Sequence, residues 1–205
     1  MTVASLDLES PDDLKLLNAQ WRFAPGWVPG EPNEGLVAQS LESAPRMADF
    51  DDSSWEILTD VEPRRSETGE GGENDPGLRK RRSIGLTFGW YRIRVTLPER
   101  LGDLNVTGNQ VWFETNIDDY GEVWADGELS KAGAINGMNI PTRILVSNDA
   151  QPGNTHVIAC LAINGPLAAP FGGIFMRYAK LEFEGNITFP RWGMAGAGNT
   201  QTFKS

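Results

Sequence analysis

The sequence predicts an all-β fold, an antiparallel β-sandwich with one short helix near the N-terminus. Three observations carry this. Several segments alternate apolar and polar residues with a period of two, the mark of a strand with one buried face. The 23 glycines and 13 prolines in 205 residues supply turns at a density that suits many short strands. Beyond one capped turn, no segment repeats apolar residues at helical spacing.

The elements follow in chain order. Ser10 can cap a short helix, with Pro11 at its first turn and Asp12 and Asp13 at the positive end of its dipole. "LNAQWRFAPGW" reads as a strand entering a Pro-Gly turn, with Trp21 in the core. "ADFDDSSWE" reads as a tight turn shaped by Asp and Ser side chains, from which Trp55 plugs the core. Residues Glu62 to Ser83 hold almost no apolar side chains and are expected to form a charged loop, with the basic run Arg79–Arg82 as a solvated segment. "TFGWYRIRVTLP" sets Tyr91, Ile93, Val95 and Leu97 against Trp90, Arg92 and Arg94. "QVWFETNI" sets Val111, Phe113, Thr115 and Ile117 against Trp112, Glu114 and Asn116. Asp126-Gly127 predicts a hairpin turn, because that pair readily adopts positive φ. "HVIACLAIN", apolar on both faces, reads as a central strand, and "GIFMRYAKLEFE" closes the fold. One domain over residues 1–184 and a Gly/Ala-rich tail over 185–205 are expected.

The formal charge of −10 and a pI near 4.6 disfavour nucleic acid, whose phosphates need a basic face. Neutral ligands such as sugars fit that balance. The single cysteine, Cys160, excludes an intramolecular disulfide and reads as a small buried thiol. No signal peptide and no membrane-spanning run is visible, so a soluble, cytoplasmic protein is expected. His156 is the only histidine, which argues against a zinc site. No serine elbow or phosphate loop is present. No cofactor is expected; a structural Ca²⁺ held by turn aspartates and carbonyls is compatible, although no loop spacing singles one out.

Several motifs together resemble the N-terminal sugar-binding jelly-roll domain of family 2 glycoside hydrolases. Residues 17–23, "LNAQWRF", are similar to its "L-N-G-x-W-x-F", and residues 50–55, "FDDSSW", to its "F-D-D-S-x-W" turn. Trp90-Tyr91-Arg92 resembles "W-Y-R", and Phe113-Glu114 through Val123-Trp124-Ala125-Asp126-Gly127 resembles "F-E-G-V-D…V-W-V-N-G". Pro152-Gly153-Asn154 and Gly172–Arg177 are similar to "P-G-x-N" and "G-G-I-Y-R". The resemblance covers about residues 14–184 and implies a galactose-binding-like jelly roll. It departs at the charged insertion before Gly85 and at Asp126, where the family more often has Asn. The family's glycosidase chemistry lies elsewhere in those enzymes and is not implied here.

The candidate ligand-binding residues are Trp90, Arg92, Trp112, Glu114, Asn116, Asp118, Asp119, Tyr120 and Trp124. If the alternation holds, three tryptophans share the side away from the core, where aromatic plates beside polar groups suit sugar rings or a subunit interface. Asp118 and Asp119 read first as a backbone-bonded sheet corner, since adjacent strand residues point to opposite faces and rarely flank one substrate bond. The leading expectation is a non-catalytic carbohydrate-binding module, alone or beside a companion enzyme. The alternatives are a homo-oligomeric scaffold with a Trp-rich interface, and a small enzyme of sugar or lactone metabolism using Glu114, Asp118, Asp119 or His156.

Overall fold

The period-two segments pair into two antiparallel sheets stacked face to face, in a computed structural model that describes residues 2–26, 45–58, 78–82, 87–129, 135–137, 140–165 and 173–185. The elements in chain order are β1 (Thr2–Asp7), α1 (Pro11–Leu16), β2 (Trp21–Pro25), β3 (Glu56–Ile57), β4 (Leu78–Arg82), β5 (Thr87–Thr96), β6 (Arg100–Leu101), β7 (Leu104–Asn105), β8 (Gln110–Asp118), β9 (Tyr120–Ala125), β10 (Glu128–Leu129), β11 (Ile135–Gly137), β12 (Thr142–Ser147), β13 (Thr155–Asn164) and β14 (Gly173–Glu184). A five-stranded sheet runs β1-β14-β8-β12, with β4 also on β14. A seven-stranded sheet runs β10-β9-β13-β5-β2-β3, with β11 also on β9, and β6 and β7 form a small ribbon of their own. The fold is thus the all-β antiparallel sandwich that the alternation predicts.

Between the sheets lies one apolar core. Tyr91, Ile93 and Val95 of β5, with Ile158 and Cys160 of β13, face Val111, Phe113 and Ile117 of β8 and Leu181 and Phe183 of β14. Trp21 is fully buried and its indole N–H donates to Leu8 O at 2.9 Å. Tyr91 Oη donates across the sandwich to Ile174 O at 3.3 Å. Burial pushes the Cys160 thiol up, which fits an inert core residue. Gly89 faces inward where the Phe23 ring lies 2.8 Å from the place a Cβ would occupy, so any side chain there would displace that ring.

A second apolar cluster sits on the outer face of the seven-stranded sheet. Trp90, Phe88, Ala159 and Leu161 are covered by the segment 45–58, from which Trp55 and Phe50 pack down with ring centroids 5.4 Å apart. The turn in that segment is shaped as its sequence suggests: Asp51 Oδ1 accepts the Ser53 N–H at 2.9 Å, and the Trp55 N–H reaches Asp52 O at 3.0 Å.

Three expectations need correction. The first element is β1, not the helix: "TVASLD" pairs antiparallel with Lys180–Glu184 of β14. The helix itself forms at Pro11–Leu16 with Ser10 as its cap. Within the segment 62–83, Leu78–Arg82 is strand rather than loop, because β1 leaves the N-terminal half of that same β14 edge free to pair. The remainder of that segment, and residues 186–205 of the tail, lie outside the described residues. "TRILVS", a short alternation with no strand expected, forms β12. β14, the closing strand, lies between β1 and β8.

Replacing Trp21 by Ala removes the largest fully buried side chain and leaves the Leu8 carbonyl without its donor. The expected loss is about 3–5 kcal/mol in urea unfolding. An unchanged midpoint would remove Trp21 from the core.

Candidate functional site

The nine candidate residues do not form one face. Trp112, Glu114, Asn116 and Asp118 alternate on the outer side of β8 in the five-stranded sheet. Trp90, Arg92 and Trp124 lie on the outer side of the seven-stranded sheet, next to the covering segment 45–58. Asp119 and Tyr120 stand at the corner between the two sheets. Three tryptophans on one common face is therefore corrected. Strand alternation separates inside from outside, but in a sandwich "outside" means two opposite surfaces.

Arg92 is a structural clamp. Its fully buried guanidinium donates to Pro45 O (2.6 Å), Met47 O (2.9 Å), Phe50 O (3.3 Å) and Asp52 Oδ2 (2.9 Å). A buried Arg is tolerated where carbonyls and a carboxylate saturate its donors, and here they tie the covering segment to the sheet. Trp90 is only 5% exposed beneath that segment and is unavailable to ligand. Trp124 is half-buried, with the Arg46 guanidinium 5.4 Å from its ring.

The outer side of the five-stranded sheet is different. Pairing sets Glu114 between Arg143 of β12 and Lys180 of β14, and Trp112 between Leu145 and Glu182. Tyr178 Oη and Lys180 Nζ donate to Glu114 Oε1 at 2.8 and 2.9 Å. Arg143 donates from Nε to Glu182 Oε2 at 3.1 Å and from Nη2 to Glu184 Oε1 at 3.0 Å. Its guanidinium lies 4.4 Å from the centroid of the half-buried Trp112 ring, a cation–π contact. The Trp112 Nε1–H is buried and has no acceptor among the described residues. Burial works to raise the Glu114 pKa, but the Lys180 and Tyr178 hydrogen bonds and the Lys180 and Arg143 charges hold it below the ordinary value. Arg143, Tyr178, Lys180 and Glu182 were not singled out in the sequence. The signal for three of them was present, because Tyr178, Lys180 and Glu182 alternate with Ala179, Leu181 and Phe183.

At the corner, Asp119 is the one residue between β8 and β9. Its N–H donates to Ile163 O at 3.2 Å, and its Oδ2 accepts the Gly165 N–H at 3.0 Å. The Asp118–Asp119 peptide is cis. Asp118 Oδ1 lies 3.5 Å from Arg177 Nη2. The residues are thus a corner in geometry, and Asp119 holds a backbone amide there.

A second polar pair closes the β9–β10 turn. Asp126 and Gly127 have φ of 50° and 86°, as the hairpin expectation requires. Asp126 Oδ1 accepts the Val157 N–H and its Oδ2 meets His156 Nδ1, both at 2.7 Å. Since an ionised carboxylate only accepts, that proton belongs to Nδ1. Burial opposes ionisation of Asp126, but the hydrogen bonds from His156 and Val157, with the His156 and Arg94 charges, hold its pKa below the ordinary 3.8. His156 shares the inward parity of Ile158, and its Nε2 is buried without a partner among the described residues. Among the described residues, no group of three or more His, Cys, Asp or Glu side chains is placed to hold a metal ion. No described helix is long and apolar enough to cross a membrane.

This architecture is an antiparallel β-sandwich, and solved structures share it. A β-glucuronidase from Bacteroides uniformis is similar over 88% of this chain at 16% identity with a TM-score of 0.51. A family 2 glycoside hydrolase β-glucuronidase is similar over 87% at 15% identity with a TM-score of 0.47. The chain spans about 18% and 17% of the length of those two proteins. No protein-family model and no curated protein matches the sequence. The likeness to the Bacteroides uniformis β-glucuronidase is one of fold.

Two outcomes follow from these contacts. Asp119→Ala should cost about 1–3 kcal/mol by stranding the Gly165 N–H, while Asp119→Asn should retain most of that. Equal stabilities in thermal unfolding would remove the carboxylate from the corner. For Asp126, folding depresses the pKa, so its stabilisation is complete at neutral pH and is lost as pH falls through the lowered value. The gap in melting temperature between wild type and Asp126→Asn should therefore be widest near neutrality and close as the carboxylate is protonated below 3.8. A gap that widens in acid would contradict this pairing.

Proposed function

We propose that the chain is a carbohydrate-recognising jelly-roll module that binds through the outer side of its five-stranded sheet and breaks no bond there. One observation carries the reading: the half-buried Trp112 ring lies on the outer side of β8 among charged side chains, with the Arg143 guanidinium 4.4 Å from its centroid. Glu114, Glu182, Arg143 and Lys180 surround it with the mixture of acceptors and donors that sugar hydroxyls require.

The groups suited to acid–base work are engaged otherwise. Glu114 is held as a carboxylate by two donors, which suits an acceptor more than a proton donor. Asp119 is spent on a backbone amide, and His156 faces the core side of its strand. These contacts favour binding over turnover. Trp112→Ala should weaken the best ligand from a glycan array at least about tenfold, as truncation of an aromatic anchor does, with the melting temperature nearly unchanged. Trp90→Ala should instead lower stability. Full affinity in a folded Trp112→Ala variant would place the ligand elsewhere, and a larger species in sizing chromatography that Trp112→Ala dissolves would favour a subunit interface.

A further inference from the structure

Arg143 reaches farther than its place in the sheet requires. It stands on β12 directly opposite Glu114 of β8. Yet its Nε–H donates to Glu182 Oε2 at 3.1 Å and its Nη2–H to Glu184 Oε1 at 3.0 Å, both on β14. Because β8 lies between β12 and β14, the side chain crosses a whole strand, about 10 Å of sheet, to reach those carboxylates. What it crosses is Trp112, which sits opposite Glu182. The guanidinium comes to rest over the indole, 4.4 Å from the ring centroid. One face of the aromatic plate that a sugar would stack on is therefore taken by a side chain of the protein itself. At 32% exposure the Arg143 pairs are partly screened by water, and each is weak enough for a ligand to displace. A nearer partner is at hand, since Glu114 Oε2 lies 4.0 Å from Arg143 Nε.

We propose that Arg143 is a displaceable cover over the Trp112 ring, an autoinhibitory contact that a neutral sugar moves aside in order to stack there. The inference rests on the carbohydrate reading above. Guanidinium and sugar compete because both need van der Waals contact with the same π surface. On displacement Arg143 swings back to Glu114, its direct cross-strand neighbour, and releases its two partners on β14. The freed Glu182 and Glu184 carboxylates then accept from sugar hydroxyls. Charge holds the cover while the ligand is neutral, so salt loosens the cover and leaves the stacking contact itself alone.

The test is titration calorimetry of the full chain with cellohexaose, xylohexaose and mannohexaose, comparing wild type with Arg143→Ala. The variant should bind the preferred oligomer about two- to fivefold tighter, the equivalent of one exposed cation–π contact. Raising salt from about 0.01 M to about 1 M should tighten the wild type toward the variant, because the Debye length falls from roughly 30 to roughly 3 Å. The variant should respond less. Glu184→Gln cuts one anchor and should give a smaller gain in the same direction, which keeps the test open if Arg143→Ala melts early. Acrylamide quenching of Trp112, taken as the difference between each protein and its Trp112→Phe counterpart, reads the cover without sugar and should rise in Arg143→Ala. Unchanged quenching, or equal or weaker binding by the variants, would overturn the cover while leaving the carbohydrate reading intact. Raised quenching with no binding of any of the three oligomers would overturn the carbohydrate reading, and the sugar's part in this inference with it.

Discussion

The one-residue crossing at Asp119 is the constraint on which the arrangement depends. β8 belongs to the five-stranded sheet and β9 to the seven-stranded one, yet only Asp119 separates them. The chain changes sheets there because Asp119 bonds both ways to the end of β13, giving its N–H to Ile163 and taking the N–H of Gly165. The neighbouring positions leave no slack. A Cβ at Gly121 would strike Ile117, and one at Gly165 would strike the Tyr120 ring. Because the crossing is so abrupt, Trp112 and Trp124, twelve residues apart and both facing away from the core, end on opposite outer surfaces.

Those surfaces then take different work. On the seven-stranded sheet, Trp90 and Leu161 are apolar enough to need a cover, and the segment 45–58 supplies it. Arg92 fastens that cover through three carbonyls and Asp52, and Arg22 reaches the Asp52 and Ser53 carbonyls from β2. Removing Asp52 alone would leave part of a buried guanidinium unpaired, a larger penalty than the loss of a surface ion pair. The five-stranded sheet instead presents a ladder of Glu, Arg and Lys around one indole.

Much of this was legible in the sequence, and what was missed has physical causes. Period two is a local property, so the strands of β5, β8, β9 and β13, the capped helix and the Asp126-Gly127 turn could be read from neighbouring residues alone. Trp21 and Trp55 were both expected in the core; Trp21 lies between the sheets, and Trp55 is buried in the separate outer cluster. Which sheet a strand joins is set by partners far away in the chain, so the division of the tryptophans between two surfaces was not legible. Arg92 looked like a site residue because an Arg beside Trp90 on an outward position reads as solvent-facing; only the fold of residues 45–58 over it reveals a clamp. β1 and β4 were missed because their sequences are short or charged and gain strand geometry from the free edge of β14.

The most direct measurement is a nitrogen-15 NMR titration that follows the indole N–H resonances while an oligosaccharide is added. If the five-stranded sheet is the binding surface, the Trp112 indole signal shifts saturably, while those of Trp90 and Trp124 stay in place. Saturable shifts at Trp90 or Trp124 with a stationary Trp112 would contradict the account, because the ligand would then be working at the face that residues 45–58 cover.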